Sequence, residues 1–394
     1  MNNMLFRSAM LSFVLVHVAL PEAAIGAPKC DSLLTKAQVK ERGARLKGLL
    51  AKKLYAALDD ELQARQSKIE RGEDSDELLR LDFDAAFDSD PAMEPLLSEW
   101  VSLRRRSYPA HVARAYHYVN SGYAKRGSGF SDNTSEEQFD AMKQQFGKAR
   151  ADLNEAARLS EKPTIAYAKE FFVARSRAYD AGTASEILAE ANKKFPTSLA
   201  IKVAAASALN PKWGGSFDEL DRLFSFAQTA RMSADDLAVL KYRIELEKGD
   251  YYEVVTRQMA NAATHYRLAG EACESANAWV NAMRVSYAIE DWANVVVAAS
   301  RSLNLDPTDG YAFQRRGWAY EKTKRMDQAV KDYETAAGIG IPWAQNKLGW
   351  ILWQGTDAPK DLARARKLFE LAAASGNSNA PVNLKALNAA IGKN

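Results

Sequence analysis

Chemistry in this chain would have to come from few residues. The four histidines are His17, His111, His117 and His265, whereas a transition-metal site needs three or four convergent donors. His111 and His117 stand six apart, on opposite sides of a helix rather than on one face. They read as structural or surface residues, and no metal is expected. Cys30 and Cys273 are the two cysteines. In an oxidising compartment they close one long loop; the alternative is two unpaired thiols, one near the amino terminus and one in a helix core. The chain has no Gly-x-Ser-x-Gly elbow, phosphate loop, dinucleotide fingerprint or His-Glu-x-x-His. Gly127-Ser128-Gly129 has another spacing and reads as a loop running on through Phe130-Ser131-Asp132-Asn133. Carboxylates abound without an acid/base frame, so neither catalysis nor a cofactor is expected.

Two stretches suit binding better than reaction. Pro211-Lys212-Trp213-Gly214-Gly215-Ser216 places an aromatic beside two glycines whose backbone N–H groups are able to approach a ligand. The plainer reading makes Ser216 the N-cap of a helix beginning at Phe217, with Asp218 and Glu219 favouring its dipole and Trp213 plugging the turn. Residues 101–131 hold Arg104, Arg105, Arg106, Arg114, Lys125 and Arg126 and no acid before Asp132, interleaved with Tyr108, Tyr116, Tyr118 and Tyr123. Residues 70–94 are strongly acidic. These blocks either neutralise one another as solvated faces, or the arginines form a basic, aromatic-lined face for an anionic glycan or small ligand.

The elements that position these residues follow from pattern. The 394 residues are 47% hydrophobic and 26% charged, which requires a folded core. A net charge of +3 is too small for a dedicated nucleic-acid binder. Residues 1–26 read as a secretory signal: Arg7, an apolar run over 9–20 too short to span a bilayer, and Ala24-Ile25-Gly26 ahead of a cut before Ala27. Removing them takes one base, Arg7, and one acid, Glu22, so the charge stays at +3. No transmembrane segment is expected in the mature chain, and export across the inner membrane to the periplasm is the expectation. Beyond the signal, apolar residues recur at three and four with no sustained period-two alternation, so an all-α fold is expected.

From Gly310, residues Phe313, Gly317 and Tyr320 fall at positions four, eight and eleven, and Ala329, Tyr333 and Ala336 at twenty, twenty-four and twenty-seven. This resembles a tetratricopeptide repeat. Thirty-four residues earlier, Trp279, Met283, Val295 and Ala299 keep a degenerate register, and a helix–turn–helix over 237–264 turning at Lys248-Gly249-Asp250 precedes it. Downstream, Leu348-Gly349, Gly355, Asp361, Ala365, Phe369, Ala372 and Ser375-Gly376 resemble a Sel-one-like repeat. Trp100, Ser107-Tyr108-Pro109-Ala110, Arg126-Gly127 and Pro211-x-Trp213-Gly214-Gly215-Ser216 resemble the bacterial family called domain of unknown function 4034, departing from it in the basic lead-in Arg104-Arg105-Arg106.

The expectation is thus an α-solenoid of stacked antiparallel helix pairs: a signal over 1–26, a helical domain over 27–275, repeats over 276–380 and a capping helix over 381–394. Such repeats hold peptide or protein partners in a groove lined by each first helix. The resemblance places Tyr311, Gln314, Trp318 and Glu321 there. The function expected is a non-enzymatic interaction scaffold of the cell envelope, with the Arg104, Arg105, Arg106, Arg114 and Arg126 face as the alternative site.

Overall fold

The computed structural model describes residues 36–127, 133–176 and 183–391. The expected signal over 1–26, Cys30 and the loop from Ser128 to Asp132 lie outside them. Among the described residues the chain is all-α, without strands. The first part comprises α1 (Lys36–Ala51), α2 (Tyr55–Arg71), α3 (Asp76–Ala86), α4 (Met93–Leu103), α5 (Tyr108–Arg126), α6 (Glu136–Leu159), α7 (Thr164–Ala174), α8 (Ala184–Lys194) and α9 (Leu199–Ala208). There follow α10 (Phe217–Thr229), α11 (Ala234–Asp250), α12 (Met259–Ala272), α13 (Ala276–Ala288), α14 (Trp292–Leu305), α15 (Gly310–Lys322), α16 (Met326–Ile339), α17 (Pro342–Gln354), α18 (Leu362–Ala374) and α19 (Ala380–Ile391).

Local signals set many of the ends. Ser107, Ser198, Ser216, Ser233, Asp291, Asp309 and Asp361 each accept a hydrogen bond from an N–H of the following first turn, satisfying donors that the helix leaves without partners. Ser135 with Gln138, and Thr183 with Glu186, close reciprocal capping boxes. The helices α16 and α17 stop at Gly340 and Gly355, both left-handed, with φ of 102° and 71°. One expectation fails. Gly249 is no turn: α11 continues past it into a π-helical turn over Tyr251–Val255, and the chain reverses only ahead of Met259. Gly249 is instead a packing residue, since a methyl group there would lie 2.8 Å from the Tyr266 ring of α12.

Packing divides the molecule. From α10 to α19 each helix rests on the next, whereas in the first part α1 packs on α3, α3 on both α7 and α9, α2 on α5, and α7 on α9. One buried cluster runs from Leu46 to Ile244, and two smaller ones follow, from Leu246 to Ala319 and from Tyr320 to Leu387. The solenoid is the second part, where a core grows by stacking neighbours.

Candidate functional site

The first helices of the solenoid share a register. Eight positions into α13, α15 and α17 stand Met283, Gly317 and Gly349, all buried against the second helix of their pair. At Gly317 a methyl group would lie 2.7 Å from the Tyr333 ring, and at Gly349 2.9 Å from that of Phe369. The aromatic ring occupies the volume that the glycine leaves. Where Met283 is large, α14 carries the small Ala299 in the place of Tyr333.

One residue further on, Arg284, Trp318 and Trp350 stand off that seam. Trp318 is half-buried and meets Trp343 edge-on at 5.2 Å, and Tyr333 meets the same Trp343 at 5.7 Å. The Lys347 ammonium lies 5.5 Å from the rings of both Trp318 and Trp350, and that of Lys322 lies 5.0 Å from Trp318. Lys347 donates to Glu321 at 2.7 Å, and Glu321 also accepts the Tyr333 hydroxyl at 2.9 Å. Burial, then the charge and hydrogen bond of Glu321, hold the Tyr333 phenol well above its ordinary pKa, so it remains a donor. Glu321 is therefore committed to fixing α15 against α16 and α17. Gln314 is half-buried, and Tyr311, at the start of α15, is 58% exposed.

Of the four residues expected in the groove, Trp318 and Glu321 are thus joined through Lys347, while Gln314 and Tyr311 lie one and two turns before Trp318 on the same face. Sequence reasoning missed Trp343, Lys347 and Trp350. Trp350 had a legible signal, because it occupies in α17 the register position of Trp318. The arrangement offers aromatic surface edged by ammonium groups, each cation–π contact worth roughly 0.5–1 kcal/mol at exposed sites.

The five arginines separate. Arg104, Arg105 and Arg106 are exposed in the turn between α4 and α5, and among the described residues none pairs with a carboxylate. Arg114 instead donates two bonds of 2.8 Å to Asp152 of α6. Arg126 lies a further twelve residues along α5, about 18 Å by helical rise, with its guanidinium over Phe139 at 5.8 Å. Tyr108, Tyr116 and Tyr118 are core residues, so they line no surface. The acidic block is neutralised, but by other cations: Arg42 and Arg65 at Asp82, Arg80 at Glu77 and Asp84, Lys47 at Asp88, and Lys148 at Glu94.

The histidines take structural partners. Both nitrogens of His111 face oxygens that only accept, Asp152 at 2.8 Å and the Arg105 carbonyl at 3.1 Å. Burial opposes charge on this ring, yet the two bonds outweigh it and raise its pKa. His117 binds the Asp88 carbonyl at 2.8 Å and His265 binds Glu245 at 2.6 Å. Around Trp213, Ser216 caps α10 as its sequence implied. The N–H groups of Gly214 and Gly215 bond to the Pro211 and Asn210 carbonyls, and a methyl group at Gly215 would strike the Leu209 carbonyl oxygen at 2.1 Å. These glycines serve the turn. Cys273 is buried at the end of α12 and is not a free thiol.

No curated protein matches the chain. The crystal structure of c5321, a protective antigen present in uropathogenic Escherichia coli strains displaying an SLR fold, is similar at 16% identity and a TM-score of 0.33 over 85% of this chain and 81% of that one. Residues 42–179, which take in α2 to α7, match the model of a family described as a domain of unknown function, DUF4034.

Proposed function

We propose that the chain is a non-enzymatic interaction scaffold of the bacterial cell envelope, exported by the segment over 1–26. A peptide or protein partner lies on the face carrying Tyr311, Gln314 and Trp318, with Glu321 holding the face in shape. The observation that carries this reading is the aromatic cluster in which Lys347 lies between Trp318 and Trp350 and Trp343 packs on Trp318, with Trp350 41% and Tyr311 58% exposed. Amphipathic aromatics supply contact area at little conformational cost. No helix of the described residues is long and apolar enough to cross a membrane.

The test is crosslinking of the tagged protein in its native envelope, read by mass spectrometry, beside the double variant Trp318→Ala, Gln314→Ala. A protein enriched with the parent chain and lost with the variant is the expected result; no enrichment over a secreted control defeats the reading. The same spectra, taken without reductant, should show an amino terminus at Ala27 and a linked peptide pair from Cys30 and Cys273.

A second reading keeps an anionic envelope glycan on Arg104, Arg105 and Arg106, favoured by their exposure without a carboxylate partner among the described residues. Retention on such a glycan that falls with salt, and falls again when the three arginines become glutamine, would mark it.

A further inference from the structure

A cleft of about 440 Å³ opens where α3, α5, α7 and α9 of the first part meet α11. Its volume lies within the range of small-molecule sites. Its charged walls are uneven: Arg80, Lys169, Arg175 and Arg243 face it with a single carboxylate, Asp84.

The partners of these cations show which are spent. Arg80 donates to both oxygens of buried Glu77 at 2.6 Å and also to Asp84, so its charge is answered. Arg243 pairs with Glu247 at 2.7 Å and donates to Ser207 at 2.6 Å, but its buried Nε has no partner.

Lys169 is 2% exposed. Its nearest acceptors are Asn120 Oδ1 at 3.3 Å and Asp84 at 3.5 Å, long beside the 2.7–2.9 Å usual for charge-assisted bonds. Its ammonium sits 3.9 Å from the Tyr116 ring. Burial pushes Lys169 down to about 8, and Arg80 and Arg175 add to that push against the pull of Asp84.

Arg175 donates through Nε to the Tyr123 hydroxyl at 2.9 Å and lies over Phe172, Tyr123 and Trp213 at 4.4, 5.0 and 5.0 Å. It meets no carboxylate among the described residues. Four cations against Glu77, Asp84 and Glu247 leave positive charge in excess, held where desolvation makes an unanswered charge costly.

We infer that this cleft binds a phosphorylated small molecule, its phosphate monoester taken by Lys169 and Arg175 with the Arg243 guanidinium beside them, and its body laid against Phe172, Val203 and Ala204. The unspent donors, Lys169 of α7 and Arg175 just past its end, outnumber what the two oxygens of a carboxylate accept, whereas a phosphate offers three oxygens and up to two charges. This inference stands apart from the solenoid face and does not depend on it.

The experiment is calorimetric titration of the full mature chain at neutral pH with ribose 5-phosphate, inorganic phosphate, ribose and succinate. Ribose 5-phosphate should bind, inorganic phosphate more weakly, and ribose not at all. Arg175→Gln and Lys169→Met should each weaken binding at least tenfold, while Arg366→Gln, exposed on α18, leaves it unchanged. Should Lys169→Met fail to fold, Arg175→Gln decides alone. No heat with either phosphate at millimolar concentration, equal affinity for succinate, or binding that survives the substitutions would overturn the assignment.

Discussion

The first part of the chain and the solenoid bury similar alanine-rich helices by different means. Up to Ile244 a single core is shared by helices distant in sequence, and it takes charged groups inside: Glu77, Arg80, Asp82, Asp152, Lys169 and Lys202 are all buried. Burial holds Asp82 up at about 6 and Lys202 down at about 8. Beyond Leu246 the helices meet their sequence neighbours through glycine–aromatic seams, and the buried charges are fewer. The difference teaches where each kind of site belongs. Non-local packing encloses polar groups from several helices in a cleft, whereas stacking neighbours leaves repeated faces open along the array.

Removing one member of a buried ion pair should separate the two regions most. Arg80→Ala strands buried Glu77 and leaves Asp84 to Lys169 alone, and should cost about 3–5 kcal/mol, with hydrogen-exchange protection falling together across α1 to α9. Arg316→Ala breaks an equally good pair in the solenoid, two bonds of 2.8 Å to Asp332. Here the arginine is the more exposed member, Arg316 at 19% against 9% for Arg80, so the expected cost is about 1–3 kcal/mol and the protection lost is confined to α15, α16 and their neighbours. Equal losses spread over the whole chain would erase the distinction.

The same division explains what the sequence revealed. Spacing within one helix pair is local information, so the register from Gly310 to Ala336 and the cap at Ser216 are legible in the sequence alone. Gly249 misled because a glycine near two charged residues reads as a turn, while its true role depends on Tyr266 in the next helix. Tyr108, Tyr116 and Tyr118 looked like an interaction face because aromatics between arginines fit one; the core behind α5 claims them instead. The cleft was illegible for the same reason. Arg80, Lys169, Arg175 and Arg243 are scattered over the sequence, and only the crossing of α3, α7 and α11 gathers them.

An identical steric insult in both regions sharpens the comparison at smaller amplitude. A methyl group at Gly122 would lie 2.6 Å from the Phe146 ring between α5 and α6, nearly the 2.7 Å distance at Gly317. Overpacking of this kind costs roughly 1–3 kcal/mol. Gly122→Ala should lower the single transition of the first part as a unit, whereas Gly317→Ala should loosen α15 and α16 and leave α1 to α9 unchanged, as hydrogen exchange on each variant will report. If Gly317→Ala reduces protection in α3 or α7, the solenoid is not a nearest-neighbour array.

The smallest expected effect is electrostatic and belongs to the trio of His111, Arg114 and Asp152. Asp152 is held below its ordinary range: burial opposes its charge, but the bonds from Arg114 and His111 prevail. Its contribution is therefore present above about pH 3.9, the unfolded value, and is lost as pH falls through the folded one. The His111 pKa is raised, so its contribution is full below about 6.5 and is lost as pH rises through the folded value. Stability from the trio should peak between those limits. Ring resonances of His111 should titrate above 6.5 in the parent chain, and Asp152→Asn should move the midpoint down by removing the stronger acceptor. A midpoint at or below 6.5 in the parent would mean that one ring nitrogen does not donate, and that the Arg104 turn is not anchored to α5 through this histidine.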